Sequence, residues 1–362
     1  MSPWPRAPRS CDRALVNTSL SDSRRVRQNH DVNGYAFAKL TPGKKKCIRI
    51  LLHNTNGIGF VSAARSRQTL KLEKLKNLVL THSFDFIGLS EVNKDWRRIP
   101  STQSIHGTMS SWTEHCRVKL AYNTHGPADR DYLVGGTASI ALGEAVFRVS
   151  GQHSDDRRLG RWSWFVLTGK NQLKTAIITC YCPVISHSPG SAYSQQLAYM
   201  ASYPELIPPD YVCPRQLYGY DLRQLVLSLQ DSDHQVILGG DFNSEYSDLK
   251  QWMLDLGMVN CFEARYGSCG PRTCLRSKDS PIDCIFVSPA QLTIAKGGFL
   301  SYGRLDSDHR GVWIDIPKFL LFGFNPPDLV NPNARRLKLK DPRVVSKYVA
   351  FLQEKMRAKD LF

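Results

Sequence analysis

HQVILGGDFN (234–243) is the stretch on which the fold turns. A β-branched, apolar run of strand length stops abruptly in an acid and an amide, Asp241 and Asn243. Alternate residues of an extended chain project to the same side, so both polar groups leave the strand end together. The same construction recurs along the chain. CIRILLH (47–53) runs into Asn54-Thr55-Asn56-Gly57, FDFIGLS (84–90) into Glu91, and TAIITCYC (175–182) carries Tyr181 at its end. IDCIFVS (282–288) has Asp283 at its start, and HRGVWIDI (309–316) follows Ser307-Asp308 and begins with His309. GTASIALG (136–143) and WSWFVLTG (162–169) complete a set of short runs that read as strands.

Segments of helical spacing lie between these runs. RQTLKLEKLKNLVLTHS (67–83) is read with Leu70, Leu75, Leu78 and Val79 on one side and lysines on the other. SAYSQQLAYMAS (191–202), YDLRQLVLSLQD (220–231) and SEYSDLKQWMLDLG (244–257) are further helices. Strands interleaved with helices, without a strict βαβ beat or an interrupting linker, predict one mixed α/β (α+β) domain of two packed sheets over 47–317. Residues 1–46 mix Pro, Arg, Ser and Asn with little periodicity and read as a basic, disordered arm. Residues 318–362 form a basic, Pro-containing tail in which Asp341-Pro342 starts a short helix.

The 362 residues carry a net charge of +16, and its location matters more than its size. Residues 1–46 hold 10 Lys+Arg against 3 Asp+Glu, and residues 317–362 hold 10 against 4. The middle keeps 28 against 25, so the excess sits in two ends flanking a nearly neutral core. A polyanionic partner fits this layout, because Lys and Arg at phosphates release counterions; the bland alternative is a pair of solvated tails. No apolar stretch has the length of a membrane span, and the N-terminus has no apolar signal core. The ten cysteines form no CxxC pair, and Cys269 and Cys274 in SCGPRTC lack a second pair to complete a zinc site. Thiols inside apolar runs point to a reducing compartment.

Strands packed side by side bring their polar ends to one rim. Phosphodiester cleavage needs such a kit: a proton acceptor for water, and positive charge for the phosphorane and the leaving oxygen. Carboxylates such as Glu91 suit Mg²⁺ or Mn²⁺, and a His paired with an Asp stays oriented and charged. Singly, each residue is weak: Glu after a strand is usually a solvated loop residue, and Asn-Gly is usually a turn. Their joint order carries the argument. In GRWSWFV, Trp162 and Trp164 share one strand face, which favours a buried sheet position over a base-stacking platform. Arg157 and Arg158 of the preceding SDDRR loop either bind backbone phosphate or are simply solvated.

HNTNGIG, LSEVN, CYCP, GGDFNSE, SPIDCIFVS and SDHRGVWIDI, in this order across 47–316, resemble the endonuclease/exonuclease/phosphatase superfamily. The chain looks most similar to the apurinic-endonuclease-like domain of non-LTR retrotransposons, as do LGRWSWFVLTGK, SAYSQQLAY and ARRLKLKDPRVVSKY. The resemblance implies a four-layer sandwich of two packed mixed β-sheets flanked by helices. It implies Glu91 as the main metal ligand, with Asn56 and Asp308 in the same shell. Asp241 would activate water, which Asn243 would position, and His309, oriented by Asp283, would meet the oxyanion. Tyr181 would donate to a phosphate oxygen, and Asn54 would support His309 and the phosphate site. The implied function is Mg²⁺-dependent nicking of DNA, leaving 3′-hydroxyl and 5′-phosphate, by a retrotransposon-derived nuclease located in the nucleus.

The chain also departs from its relatives. Apurinic endonucleases carry Asn where Val184 stands, many members have Asp at Asn56, and mobile-element relatives often have Arg at Cys182. His53 occupies a position where an aromatic is common. Two alternatives remain: a phosphatase or phosphodiesterase for small or lipid phosphates, and a non-catalytic nucleic-acid-binding remnant. Against the first, inositol-phosphate 5-phosphatases look for Trp-Cys-Asp-Arg where this chain has Pro281-Ile282-Asp283-Cys284.

Overall fold

The computed structural model describes residues 37–42, 46–59, 67–100, 103–126, 132–288, 293–325 and 341–358. Its strands are β1 (Cys47–Asn54), β2 (Phe86–Ser90), β3 (Cys116–Ala121), β4 (Thr137–Leu142), β5 (Val149–Ser154) and β6 (Trp162–Thr168). They continue as β7 (Lys174–Tyr181), β8 (His234–Asp241), β9 (Val259–Asn260), β10 (Asp283–Val287), β11 (Lys296–Phe299) and β12 (Val312–Pro317). The helices are α1 (Arg67–His82), α2 (Ile105–Ser110), α3 (Ala192–Ser202), α4 (Pro214–Asp231), α5 (Tyr246–Asp255), α6 (Cys261–Tyr266), α7 (Lys318–Phe322) and α8 (Pro342–Arg357).

The strands form two six-stranded sheets, in the orders β11-β12-β1-β2-β4-β3 and β5-β6-β7-β8-β10-β9. Each sheet has one parallel pair, β1/β2 in the first and β7/β8 in the second, and every other pairing is antiparallel. Each of the eight apolar runs is one of these strands. The four that escape the hydrophobic pattern, β3, β5, β9 and β11, are the four sheet edges. An edge strand buries fewer of its side chains and tolerates polar residues, so CRVKLA, VSGQHS and KGGF show no apolar run.

The inner faces of the sheets meet in a core containing Ile50, Leu52, Phe86, Phe165, Ile177, Ile237, Ile285 and Ile314. On the outer face of the first sheet, Leu75, Leu78 and Val79 of α1 pack with Leu51, Ile87, Leu89 and Trp313. On the outer face of the second, Leu222 and Val226 of α4 and Leu249 and Trp252 of α5 cover Trp162, Trp164, Ile178 and Leu238. The result is the helix–sheet–sheet–helix sandwich that the resemblance implies, with both tryptophans in the core. Leu70 corrects the reading of α1: it is exposed, while Leu72 joins the core. Five residues at about 100° each carry Leu75 roughly 140° around the helix from Leu70, off its face.

The main unit extends past Pro317, and Leu321 and Phe322 of α7 are fully buried in it. Before β1, Phe37 packs edge-on against Phe262, Tyr266 and Phe299. A second unit, Pro327–Phe362, contains α8, whose N-cap Asp341 accepts from the Arg343 N–H and whose first turn holds Pro342. The arm over 1–36, residues 43–45 with Lys44 and Lys45 of the basic KKK, part of the 123–132 loop, and 326–340 and 359–362 of the tail lie outside the described residues. Among the described residues no helix is long and apolar enough to cross a membrane.

Candidate active site

Parallel pairing places the C-terminal ends of β1 and β2 together, and likewise those of β7 and β8. Asn54 therefore sits opposite Ser90, and Tyr181 opposite Asp241. Since β10 runs antiparallel to β8, its first residue, Asp283, faces the last residue of β8, Asp241. Gly240 makes that strand end possible: at φ 145° it has a backbone open mainly to glycine, and a Cβ there would collide with the Cys180 carbonyl.

The first cluster centres on Asp241, which is fully buried. Its Oδ2 accepts from Asn54 Nδ2 at 2.7 Å and Asn243 Nδ2 at 3.1 Å, and its Oδ1 from the Asn243 N–H at 2.8 Å. Asn243 is itself anchored by donation from Nδ2 to the Cys182 carbonyl at 2.8 Å. Beside it, His309 Nδ1 lies 2.8 Å from Asp283 Oδ2, both side chains buried. Ser307 ties the two together, donating to the Asn54 carbonyl at 2.7 Å while its Oγ accepts from the His309 N–H at 3.2 Å. Ligating atoms of Asp241, Asp283 and His309 all lie within 4.8 Å of one another.

The second cluster is more open. Tyr181 OH donates to Glu91 Oε1 at 2.6 Å, and Asn56 Nδ2 donates to Asp308 Oδ1 at 3.1 Å. Gly57 N donates to the Glu91 carbonyl, joining the loops that carry Asn56 and Glu91. Lys71 Nζ donates to the carbonyls of Thr55, Asn56 and Gly57, fixing the loop after β1. Asn56, Glu91 and Asn243 all adopt left-handed φ values of 44°, 48° and 46°. Backbone strain of this kind concentrates where packing aims a side chain at a task.

Electrostatics divide the groups by role. Burial, then the carboxylates of Asp283 and Glu91, push Asp241 up to about 8, with His309 opposing. Burial works against the charge on His309, but the adjacent Asp283 carboxylate outweighs it and pushes the imidazole up to about 12. Burial also opposes ionisation of Asp308, yet the Asn56 amide and His309 hold it below the ordinary carboxylate value. Burial, His309 and Lys71 drive His53 down to about 3, so it fills its place as a neutral ring. Burial, followed by Glu91, holds the Tyr181 phenol well above its usual value.

The donor chemistry fits a hard cation. The carboxylates of Glu91 and Asp308 and the amide oxygen of Asn56 are oxygen donors on the open part of the rim, where Asn56 is exposed and both acids are half-buried. Spending its Nδ2 on Asp308 leaves Asn56 Oδ1 as the outward atom. These three residues would hold Mg²⁺ or Mn²⁺.

Nine of the eleven residues expected at the site come together in these two clusters. Among the described residues, the other two make no hydrogen bond or ion pair to them. Arg157 pairs with Asp221 at 2.6 Å and donates to the Leu206 carbonyl, while Arg158 is exposed with φ 55°. Several supporting residues escaped the sequence. Thr273 Oγ1 accepts from the Ile282 and Asp283 N–H groups. Buried Arg161 pairs with Asp155 and Asp221, and its carbonyl accepts from Tyr181 N. Arg215 on α4 donates to the Pro183 and Phe242 carbonyls, bracing both loops beside Asn243. Only Ser307 had a signal, its place in SDHR; the others act through contacts far apart in sequence.

The sequence matches the model of the Endonuclease/Exonuclease/phosphatase family over residues 51–309. None of the curated proteins matches it. Among solved structures, the AP endonuclease LMAP from Leishmania major superposes with a TM-score of 0.52 at 13% identity, covering 75% of this chain and 88% of that one. The catalytic domain of APE2 from Xenopus laevis gives 0.50 at 13% identity, over 75% and 92% of the two chains. At such identity the likeness concerns the fold.

Proposed function

Given that this chain belongs to the endonuclease/exonuclease/phosphatase family, whose members are hydrolases acting on phosphodiesters and using divalent metals, we propose that it nicks DNA by water attack. The products would be a 3′-hydroxyl and a 5′-phosphate. The observation that carries this reading is the juxtaposition of a buried, triply donated Asp241 with the Asp283–His309 pair, beside an open rim of oxygen donors.

Asp241 takes the proton of the attacking water. Burial and its acidic neighbours raise it above the ordinary carboxylate range, which makes it a stronger proton acceptor. Asn54 and Asn243 direct its carboxylate, and Asn243, held by the Cys182 carbonyl, orients the water. His309, kept cationic by Asp283, faces the charge that develops on the phosphorane. A divalent cation held by Glu91, Asn56 and Asp308 would neutralise phosphate oxygens and stabilise the leaving oxygen. Tyr181 steadies Glu91 and lies close enough to that acid to share a phosphate contact. DNA is favoured as substrate by the strongly basic ends on a near-neutral core, and by the name of the Leishmania major neighbour as an AP endonuclease. Exposed Val184, in place of the Asn that apurinic endonucleases carry, argues against abasic-site specificity. A retrotransposon origin and a nuclear location belong to the same proposal.

The test is nicking of supercoiled plasmid with and without Mg²⁺, by wild type, His309→Ala and Asp241→Asn. Metal-dependent nicking lost in both variants, with 3′-hydroxyl ends, supports the reading. Intact plasmid with turnover of a phosphoinositide transfers the site to small phosphates. If neither substrate reacts while the folded protein still binds DNA, catalysis is refuted and a binding role replaces it.

A further inference from the structure

Cys274 was unremarkable in sequence, a thiol without a partner pair. In the fold it lies directly across an antiparallel bridge from His309. The bridge is closed on both sides, by Leu275 N donating to the Asp308 carbonyl at 2.9 Å and Arg310 N donating to the Thr273 carbonyl at 2.7 Å. Bonds that flank a facing pair make it the closely spaced, non-hydrogen-bonded kind, with both side chains on one face. The Cys274 thiol accordingly lies beside the His309 ring. Cys274, Asp308 and His309 each offer a ligand atom, and these lie within 4.8 Å of one another.

We propose that Cys274, His309 and Asp308 form a binding site for a thiophilic divalent cation, Zn²⁺ above all, and that its occupation shuts the hydrolytic site. A thiolate, an imidazole and a carboxylate make a borderline-soft set, unlike the all-oxygen rim of Glu91, Asn56 and Asp308. Zinc ligands at their usual bond lengths stand about 3.5 Å apart in a tetrahedron, so the three side chains need to close by little more than an ångström. Nδ1 of His309 is held by Asp283, so Nε2 is the nitrogen that would ligate once its proton leaves, and a carboxylate behind the imidazole is the usual support of a zinc-bound histidine. Cys274 and His309 are buried and fixed by the bridge, while half-buried Asp308 opens to the rim. Arg276 stands 3.4 Å from Asp308 Oδ2 on a side chain 83% exposed, so it can swing aside at small cost. Binding releases two protons, one from the Cys274 thiol and one from His309 Nε2, and three protein ligands leave a fourth position to solvent.

The binding site stands on geometry alone; the inhibition rests on the nuclease reading above. Because Zn²⁺ would engage His309 and Asp308 together, it removes the oxyanion partner and one oxygen donor in a single event.

Co²⁺ serves as the optical probe, because a thiolate ligand gives it a near-ultraviolet charge-transfer band. Wild-type protein should show that band on titration with Co²⁺ and lose it when Zn²⁺ displaces the cobalt. Cys274→Ser should lack the band and bind Zn²⁺ at least about tenfold more weakly in a chelator competition. Cys269→Ser, a change in the same loop, should keep the band and controls for the other thiols. In plasmid nicking with Mg²⁺, Cys274→Ser, compared with its own zinc-free rate, should require at least about tenfold more Zn²⁺ for half-inhibition than wild type. Serine retains an oxygen for the Arg276 N–H that Cys274 Sγ accepts at 3.4 Å, and a thermal melt checks that the variant is folded. Should Cys274→Ser not fold, Cys274→Ala takes its place. A band that persists in the Cys274 variant, or none in wild type, overturns the site. A band lost as expected in a protein that never nicks DNA upholds the site and refutes the nuclease reading instead.

Discussion

Asp283→Asn tests what the buried carboxylate does for His309, while also relieving Asp241, which Asp283 helps push up. The side chain keeps its shape, and the Asp283 N–H keeps its bond to Thr273 Oγ1 at 3.0 Å, so the fold should survive. The change removes the group that outweighs burial and pushes the imidazole up to about 12. In wild type, His309 is then cationic at every pH between 6 and 9. In the variant, burial remains and Asp241 is the main opposing charge, so the imidazole falls to its ordinary value of about 6.5 or lower. The charged fraction becomes about one quarter at pH 7.0 and about 3% at pH 8.0, and drops roughly tenfold per unit beyond. If the cation is what meets the phosphorane, its share of the rate should fall about 4-fold at pH 7.0 and about 30-fold at pH 8.0, apart from the change at Asp241 and any pH-independent loss of orientation. Loss of the whole imidazole sets the ceiling, about 10²–10³-fold for one oxyanion partner, and His309→Ala measures it. The assay is the initial rate of nicking at saturating Mg²⁺ from pH 6.0 to 8.5, for wild type and both variants. A wild-type to Asp283→Asn ratio that stays constant with pH would refute the argument, because His309 would then act as a neutral ring and Asp283 only as its support.

Four further variants have expected outcomes. Tyr181→Phe removes the 2.6 Å bond to Glu91, so the Mg²⁺ concentration for half-maximal rate should rise about tenfold with little change at saturation; a fall in the saturated rate alone would place the phenol on substrate instead. Arg161→Met leaves Asp155, whose side chain is fully buried, without its ion partner and should cost about 3–5 kcal/mol in a denaturant melt. Lys250→Met, at an exposed pair with Glu263, should cost under about 1 kcal/mol. Burial raises Asp155, but Arg161 overrides it and holds the group below its unfolded value. That contribution is present above about pH 4 and lost as pH falls through the folded value, so Arg161→Met should flatten acid unfolding between those limits. Gly240→Ala places a Cβ against the Cys180 carbonyl, and it should cost both stability and nicking, read by thermal melt and by rate.

The sequence by itself determined the inner strands and the residues that end them. A strand buried between neighbours must be apolar along its length, and a polar group at its end is therefore conspicuous. So β1, β2, β4, β6, β7, β8, β10 and β12 were visible, together with Asn54, Glu91, Tyr181, Asp241 and His309. The sheet edges β3, β5, β9 and β11 were not, because a strand with one neighbour needs no continuous apolar run. Leu70 was misplaced for a similar reason: spacing alone does not say which arc of a helix the core takes.

Tertiary structure alone decided the partners. That Asp241 would face Asp283 across β8 and β10, or that Asn54 would donate to an acid 187 residues away, depends on strand register and direction. The same holds for Arg157, which spends its charge on Asp221, and for Arg215, which braces two loops from within a helix. Cys274 is the clearest case. Its neighbours in sequence gave it no metal partner, and a two-bond bridge to residues 308–310 gave it an imidazole and a carboxylate. Periodicity records how much of a residue is buried. What the residue touches is set by chain segments that burial patterns do not order.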